Sequence, residues 1–209
     1  MSHEFSLIAN NLSCIRGERA LFSALNFDVH SGQCLHVIGA NGSGKSSLLR
    51  ILCGIRRSDT GDVQWSNSSI HANPEYLRQS AFIGHTDALK GELTAIENLR
   101  WYQRLDTQVD EAQLDDLLAK MGILQCADVP AAQLSFGQRR RLAFARLLLR
   151  PFKLWILDEP FTGIDADGRT IIEQLCVNHL RTGNMIIMTH HRSLNEGPLR
   201  EFHSELRLN

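Results

Sequence analysis

Residues 34–46 read Cys34-Leu35-His36-Val37-Ile38-Gly39-Ala40-Asn41-Gly42-Ser43-Gly44-Lys45-Ser46, and this stretch decides the fold. Its first five residues are a short, mostly apolar, β-branched run, which predicts a buried strand. Ser47-Leu48-Leu49-Arg50-Ile51-Leu52 follows with helical spacing. A Gly-x-x-x-x-Gly-Lys-Ser string between a strand and a helix is a phosphate-binding loop in the context that gives the pattern its meaning. Glycines at 39, 42 and 44 allow backbone angles that a side chain forbids, so successive N–H groups can converge on phosphate oxygens. The helix N-terminus adds partial positive charge. Gly39, Ala40, Asn41, Gly42, Ser43, Gly44, Lys45, Ser46 and Ser47 are therefore candidate nucleotide contacts. Lys45 is expected to reach the β- and γ-phosphates and the Ser46 hydroxyl to ligate Mg²⁺. The plain alternative, a chance glycine-rich turn, does not account for the strand before and the helix after.

A phosphate loop alone does not choose among kinases, GTPases and motor ATPases. Lys153-Leu154-Trp155-Ile156-Leu157-Asp158-Glu159-Pro160 reads as a second buried strand ending in two carboxylates. Asp158 is placed to hold Mg²⁺ through water, and Glu159 to polarise an attacking water as general base. A strand capped by solvated acids is the competing reading. Upstream lies Leu134-Ser135-Phe136-Gly137-Gln138, leading into Arg139-Arg140-Arg141-Leu142-Ala143-Phe144-Ala145-Arg146. A serine at a helix start, with glycine two residues on, offers a hydroxyl and N–H groups to an anion. As an ordinary capped helix, it would instead carry its basic residues on a solvated face.

Taken together these strings resemble an ABC-type ATPase, the nucleotide-binding domain of ATP-binding-cassette systems. Residues 134–138 are similar to that family's signature, Phe161-Thr162-Gly163-Ile164-Asp165 to its D-loop, and Met185-Ile186-Ile187-Met188-Thr189-His190 to the strand that ends in its switch histidine. The order spans residues 39–190, most of the chain. The resemblance implies a single α/β domain over residues 1–209, a P-loop NTPase with an antiparallel β edge and a helical subdomain inserted at about residues 86–149. It also implies ATP and Mg²⁺, and a second copy paired head to tail. ATP on the phosphate loop of one copy would then meet Ser135 and Gly137 of the other, with Asp165 nearby. Glu159 would activate water, and His190 would contact the γ-phosphate. His190 as a polar strand end is the bland alternative, and His191 is read as structural.

Two positions depart from the family pattern. Most cassettes carry a glutamine at the end of a strand between loop and signature; here Ser80-Ala81-Phe82-Ile83-Gly84 runs into His85. An imidazole can hydrogen-bond, and it titrates near neutral pH, so His85 is only a doubtful metal contact. The aromatic that usually stacks on adenine is replaced by Arg16, whose guanidinium plane can stack on a base; Phe22 reads better as core. Phe82-Ile83-Gly84-His85, the run from Leu89 to Leu99, and Leu154-Trp155-Ile156-Leu157-Asp158-Glu159-Pro160-Phe161-Thr162 are similar to one branch, the ATP-binding subunits of cytochrome c maturation systems. That likeness implies a peripheral ATPase on the cytoplasmic face of the inner membrane, bound to membrane subunits CcmB, CcmC and CcmD and tied to release of the haem-loaded chaperone CcmE. Another small ABC exporter, a soluble ABC factor acting on nucleic acid or ribosomes, and a non-hydrolysing regulatory module are the rivals.

Bulk properties narrow these rivals. The 209 residues are 43% hydrophobic and 22% charged, close to an average soluble protein. No apolar run approaches the roughly 20 residues that cross a bilayer, and Met1-Ser2-His3-Glu4-Phe5 lacks the features of a signal peptide. Membrane contact is thus expected only through partners. A net charge of −1 argues against a nucleic-acid partner. Five cysteines without paired spacing read as reduced thiols. The nine histidines show no metal-ligand spacing beyond the adjacent His190-His191, so no zinc site is expected. Residues 5–12 and 25–30 read as antiparallel edge strands. Thr94 and Glu97 form a capping box ahead of an amphipathic helix, and Asp110 heads another with Leu114, Leu117, Leu118 and Met121 on one face. Ala88, Leu89, Leu93, Trp101 and Tyr102 are candidates for a groove that receives a membrane partner, or else core. About twenty residues follow His190, too few for an appended regulatory domain.

Overall fold

Alternating burial along the first strand shows how the edge sheet forms. The computed structural model describes residues 5–104, 111–190 and 197–208. β1 (Ser6–Arg16) buries Leu7 and Ala9, then shifts phase to bury Leu12 and Cys14. The shift is a bulge at Asn11, whose φ is 51°. The strand opposite comes so near that a Cβ on Gly61 would sit 2.3 Å from the Asn10 carbonyl oxygen, so only glycine fits there. β1 pairs antiparallel with β2 (Arg19–His30) on one side and with the β4 strand (Thr60–Trp65) on the other. Both edge strands expected from residues 5–30 are present and longer than their apolar patterns. The strand at 60–65 and the short β5 (Ser68–Ser69), which complete the order β2-β1-β4-β5, carry no comparable sequence signal.

A second sheet holds β6 (Ser80–Ile83), β7 (Leu154–Asp158), β8 (Met185–Thr189), β3 (Cys34–Ile38) and β9 (His203–Arg207), in the order β6-β7-β8-β3-β9. The β7, β8, β3 and β9 strands run parallel. β7 and β8 are buried throughout, as expected of parallel strands covered on both faces. One apolar cluster joins Leu7, Leu12 and Val29 of the first sheet to Leu35, Val37, Ile156 and Ile187 of the second. α1 (Lys45–Leu52) contributes Leu48, Leu49, Ile51 and Leu52 to the same cluster, so the helix that follows the phosphate loop is locked into the core. α2 (Pro74–Gln79) starts with Asn73 as N-cap and Pro74 in the first turn, and its Tyr76 hydroxyl donates to the Leu52 carbonyl at the end of α1.

The chain divides into two compact units, one of Met1–Phe82, Phe152–Pro160 and Leu175–Asn209, the other of Ile83–Pro151 and Phe161–Gln174. The second holds α3 (Ala95–Arg104), α4 (Glu111–Lys120) and α5 (Phe136–Ala145), and the start of α6 (Ala166–Arg181). α3 begins with the Thr94–Glu97 capping box: the Glu97 N–H donates to Thr94 Oγ1 at 3.3 Å, and the Thr94 N–H to Glu97 Oε2 at 2.8 Å. Leu114, Leu117, Leu118 and Met121 are buried together, whereas the expected cap Asp110 lies outside the described residues. Asn98, fully buried, fastens the segment ahead of α3. Its Nδ2 donates to the carbonyls of Lys90, Leu93 and Thr94, and its Oδ1 accepts from the Lys90 N–H.

Replacing Asn98 by Ala strands these groups in an apolar interior, at about 1–3 kcal/mol for each left unsatisfied. A lowered denaturant midpoint is expected, and an unchanged one would show that the segment is held otherwise. A second prediction concerns acid. Burial, with a smaller contribution from the charge of Lys153, pushes His179 down to about 3, and its ring stacks on Trp155 at 3.8 Å. The unfolded ring titrates near 6.5. A depressed folded value means that stability present above about pH 6.5 is lost as pH falls toward 3, by about 1.4 kcal/mol per pH unit. Chemical denaturation at pH 7 and 5 measures the loss, and His179→Leu should reduce it.

Candidate functional site

The parallel register brings the sequence motifs of the first unit to one edge. Val37 of β3 pairs with Thr189 of β8, and Thr189 pairs with Asp158 of β7. Neighbouring strands stand about 4.8 Å apart. The glycine-rich loop leaving β3, the two acids leaving β7 and His190 leaving β8 therefore emerge side by side. Open α/β sheets bind ligands in this crevice, beyond the carboxyl ends of their strands.

The loop conformation needs its glycines. A Cβ on Gly39 would lie 2.6 Å from both the Leu208 carbonyl oxygen and Ser43 Oγ. Gly44 takes φ 101° and caps α1 without a side-chain hydrogen bond. The first-turn N–H groups of α1 thus have no capping acceptor, and no acid occupies that turn. Such a helix start suits an anion. Lys45 Nζ donates to the carbonyls of Gly39 at 2.7 Å and Ala40 at 3.1 Å, which uses two of its three protons. Ser43 Oγ is buried without a hydrogen-bond partner, and Ser46 is exposed at the first turn. A buried orphan hydroxyl, a lysine with a donor to spare and an uncapped helix start together fit a phosphate chain.

The acid pair is organised by a residue to which the sequence attached no role. Thr189, fully buried, donates its hydroxyl proton to Asp158 Oδ1 at 2.7 Å, and its Oγ1 accepts the Glu159 N–H at 2.9 Å. Glu159 has φ 50°, a left-handed conformation that costs a non-glycine residue about 1–3 kcal/mol. The Thr189 hydroxyl holds that turn in place. Behind it, His36 Nε2 lies 2.9 Å from the His190 carbonyl oxygen. His190 itself is buried at the end of its strand. Thr189 stood in the quoted strand ending at His190, but only the β7–β8 register shows that it faces Asp158.

The second unit holds the other motif residues. Ser135 is the N-cap of α5 in a full capping box with Gln138, and Gly137 sits in the first turn. The Phe136 ring covers Gly163, where a Cβ would approach within 2.4 Å. Asp165 caps α6 through the Gly168 N–H at 2.8 Å, and its other oxygen lies 3.9 Å from Arg141. The basic run after the signature is not the solvated face of an ordinary helix. Arg140 is 2% exposed and paired with Asp87 at 2.9 Å and the Gly84 carbonyl at 2.8 Å. His85 is exposed directly after the β6 strand. In the first unit, Arg16 is exposed at the β1–β2 turn, and Phe22 is core.

A family model described as ABC transporter matches residues 22–162. The chain is 47% identical over 191 residues to a cytochrome c biogenesis ATP-binding export protein CcmA of Methylococcus capsulatus, covering 90% of this chain and 92% of that one. A Haemophilus influenzae protein of the same name is 44% identical over 203 residues, covering 96% of each. Among solved structures, a dimeric ATP-binding cassette in a post-hydrolysis state with ADP and phosphate superposes with a TM-score of 0.81, at 21% identity over 97% of this chain and 94% of that one. An ATP-binding subunit of an ABC transporter gives 0.83 at 24% identity, covering 97% of this chain and 87% of the other. At these identities the two structures speak to the fold alone.

Thr189→Val keeps the shape of the side chain and removes the hydroxyl between the two acids. Nucleoside triphosphate turnover is expected to fall at least about tenfold, or about 1.4 kcal/mol of barrier, with Thr189→Ser restoring most of it. Steady-state phosphate release alongside nucleotide affinity separates the two effects. Equal turnover in Thr189→Val and the parent would remove Thr189 from the positioning of Asp158 and Glu159.

Proposed function

Because the chain belongs to the ABC-transporter family, and within it to the CcmA group, we propose that this ABC-type ATPase powers a membrane complex for cytochrome c maturation. The observation that carries the reading is the row Val37–Thr189–Asp158, which sets loop, acids and His190 at one edge of the parallel sheet. Residues 39–47 cradle the triphosphate, with Lys45 directing its remaining N–H to the β- and γ-phosphates. The exposed hydroxyl of Ser46 and, through water, Asp158, whose oxygen is fixed by Thr189, are the hard oxygen donors that Mg²⁺ prefers. When bound, the ion neutralises charge on the phosphate oxygens. Glu159, aimed by its left-handed turn, accepts a proton from the attacking water. His190 donates to the γ-phosphate, and the Arg16 guanidinium offers a platform for the base. His85 brings an imidazole nitrogen where an amide oxygen is usual. It is better suited to a hydrogen bond than to ligating Mg²⁺.

Two copies pair head to tail, so that Ser135 and Gly137 of one reach the phosphates on the other, beside Asp165. The capping box leaves Ser135 exposed at a helix N-terminus, in the right place for an anion. The whole chain, residues 1–209, works as one ATPase domain with its helical part near residues 86–149. Membrane attachment is through partners: no helix among the described residues is long and apolar enough to cross a bilayer. The partners are the membrane subunits CcmB, CcmC and CcmD at the cytoplasmic face of the inner membrane, and the step coupled to hydrolysis is release of the haem-loaded chaperone CcmE. Trp101, exposed with Lys90 Nζ 4.3 Å over its ring, and Tyr102, bonded to the Ala88 carbonyl and to Arg146, form the surface for a membrane subunit.

Glu159→Gln should slow hydrolysis roughly 10²-fold, the usual size of a lost general base, while nucleotide still binds. In cells carrying only that form, haem staining should show c-type cytochromes lost and haem retained on the chaperone. Normal cytochromes would assign the ATPase to another transporter. Lys45→Ala should weaken nucleotide binding itself; affinity equal to the parent would contradict the loop assignment.

A further inference from the structure

β9 is an edge strand, and among the described residues its ladder partner is β3. Its parallel register sets Glu205 beside His36 and His203 beside Cys34. Side chains alternate along strands, so His36, His203 and Glu205 share one face. One ring nitrogen of each histidine and a carboxylate oxygen of Glu205 lie within 4.8 Å of one another, and the two rings stand 5.7 Å apart, centre to centre.

The protonation of His36 follows from its neighbours. The His190 carbonyl can only accept, so His36 Nε2, 2.9 Å away, carries the proton. Burial holds this ring below the ordinary histidine range, against the opposing pull of the His190 carbonyl, and with the proton on Nε2 the other nitrogen, Nδ1, keeps its lone pair. His36 is 1% exposed, and its Nδ1 has no hydrogen-bond partner; neither does the buried Nε2 of His203. A histidine with one N–H tied to a backbone carbonyl and the other nitrogen bare is the form in which proteins present imidazole to a metal. Glu205 adds an oxygen 3.6 Å from His203 Nε2, on a side chain that reaches solvent.

We propose that His36 Nδ1, His203 Nε2 and the Glu205 carboxylate bind a divalent transition-metal ion of the zinc, cobalt and nickel class, with water as a fourth ligand. Two imidazoles and a carboxylate are a borderline donor set that selects these ions over Mg²⁺ and Ca²⁺, which take all-oxygen shells. The site is therefore chemically distinct from the oxygen pair of Ser46 and Asp158. Bonds of about 2.0–2.1 Å place tetrahedral ligands roughly 3.3 Å apart, so the groups must draw in from their present spacing. The solvent-reaching Glu205 side chain supplies part of that movement while His36 stays fixed. A bound ion ties β9 to β3 and, through the Nε2–H of His36, to the main chain of His190.

The test is a Co²⁺ titration of the untagged full chain, followed by visible d–d absorption and repeated with excess Mg²⁺ present. One equivalent should bind with the intense absorption of a low-coordinate site, and Mg²⁺ should not displace it. His203→Ala and Glu205→Ala should each weaken binding at least about tenfold, whereas His71→Ala, outside the cluster, should leave it unchanged. Zn²⁺ should raise the thermal midpoint of the parent but not of His203→Ala. These variants lie on the edge strand, so the test does not depend on replacing the buried His36. No saturable binding, or His203→Ala binding as tightly as the parent, overturns the proposal.

Discussion

The parallel pairing of β3, β8 and β7 is the constraint on which the rest depends. A one-residue slip of β8 against β7 would turn Thr189 to the face opposite Asp158. The Asp158–Thr189–Glu159 bonds would go with it, and so would the left-handed turn that aims Glu159. Apolar side chains hold the register: β7 and β8 are buried on both faces, and α1 sends four leucine and isoleucine side chains into the cluster that holds Val37 and Ile187. Core packing therefore sets where Asp158, Thr189 and Glu159 meet.

The second unit is organised differently, by buried polar groups. Arg140 with Asp87 and the Gly84 carbonyl, and Asn98 with three carbonyls, each place strong hydrogen-bonding groups where water is scarce. Burying a charge pair is seldom a gain in stability over an apolar pair of the same shape. What such pairs supply is a single arrangement, because any other leaves a charge or a carbonyl unsatisfied. Arg140 lies on the helix that Ser135 caps, so the pair with Asp87 fixes the helix whose N-terminus carries that capping box.

What was legible in the sequence is what depends on neighbours in the chain. The strand–loop–helix at residues 34–52, the acids after residue 157, the Thr94–Glu97 capping box and the apolar face of Leu114, Leu117 and Leu118 are each written within some twenty residues of chain. Thr189 was not legible, because its role depends on which residue of another strand lies opposite. The burial of Arg140 was not legible for the same reason: a basic run looks solvated until Asp87, far upstream, is folded against it. Asn98 looks like a mediocre helix residue, and its value comes from the loop that returns to it. The histidines 36 and 203 show no metal spacing along the chain and meet only because β9 adds to the edge of β3.

His36 belongs both to the buried parallel sheet and to the cluster with His203 and Glu205. A histidine in the middle of a buried parallel strand is costly, since desolvation forces it neutral and each nitrogen then wants a partner. The His190 carbonyl satisfies one, directly after the end of the β8 strand. A valine at position 36 would pack as well without the polar cost, so the imidazole has to be explained by what it contacts. Its N–H holds the main chain of His190, and its bare nitrogen faces an edge strand that carries another imidazole and a carboxylate. The same ring thus links the carboxyl end of the β8 strand to the edge strand β9. An ion bridging His36 to β9 would bear on the main chain of His190 through that link.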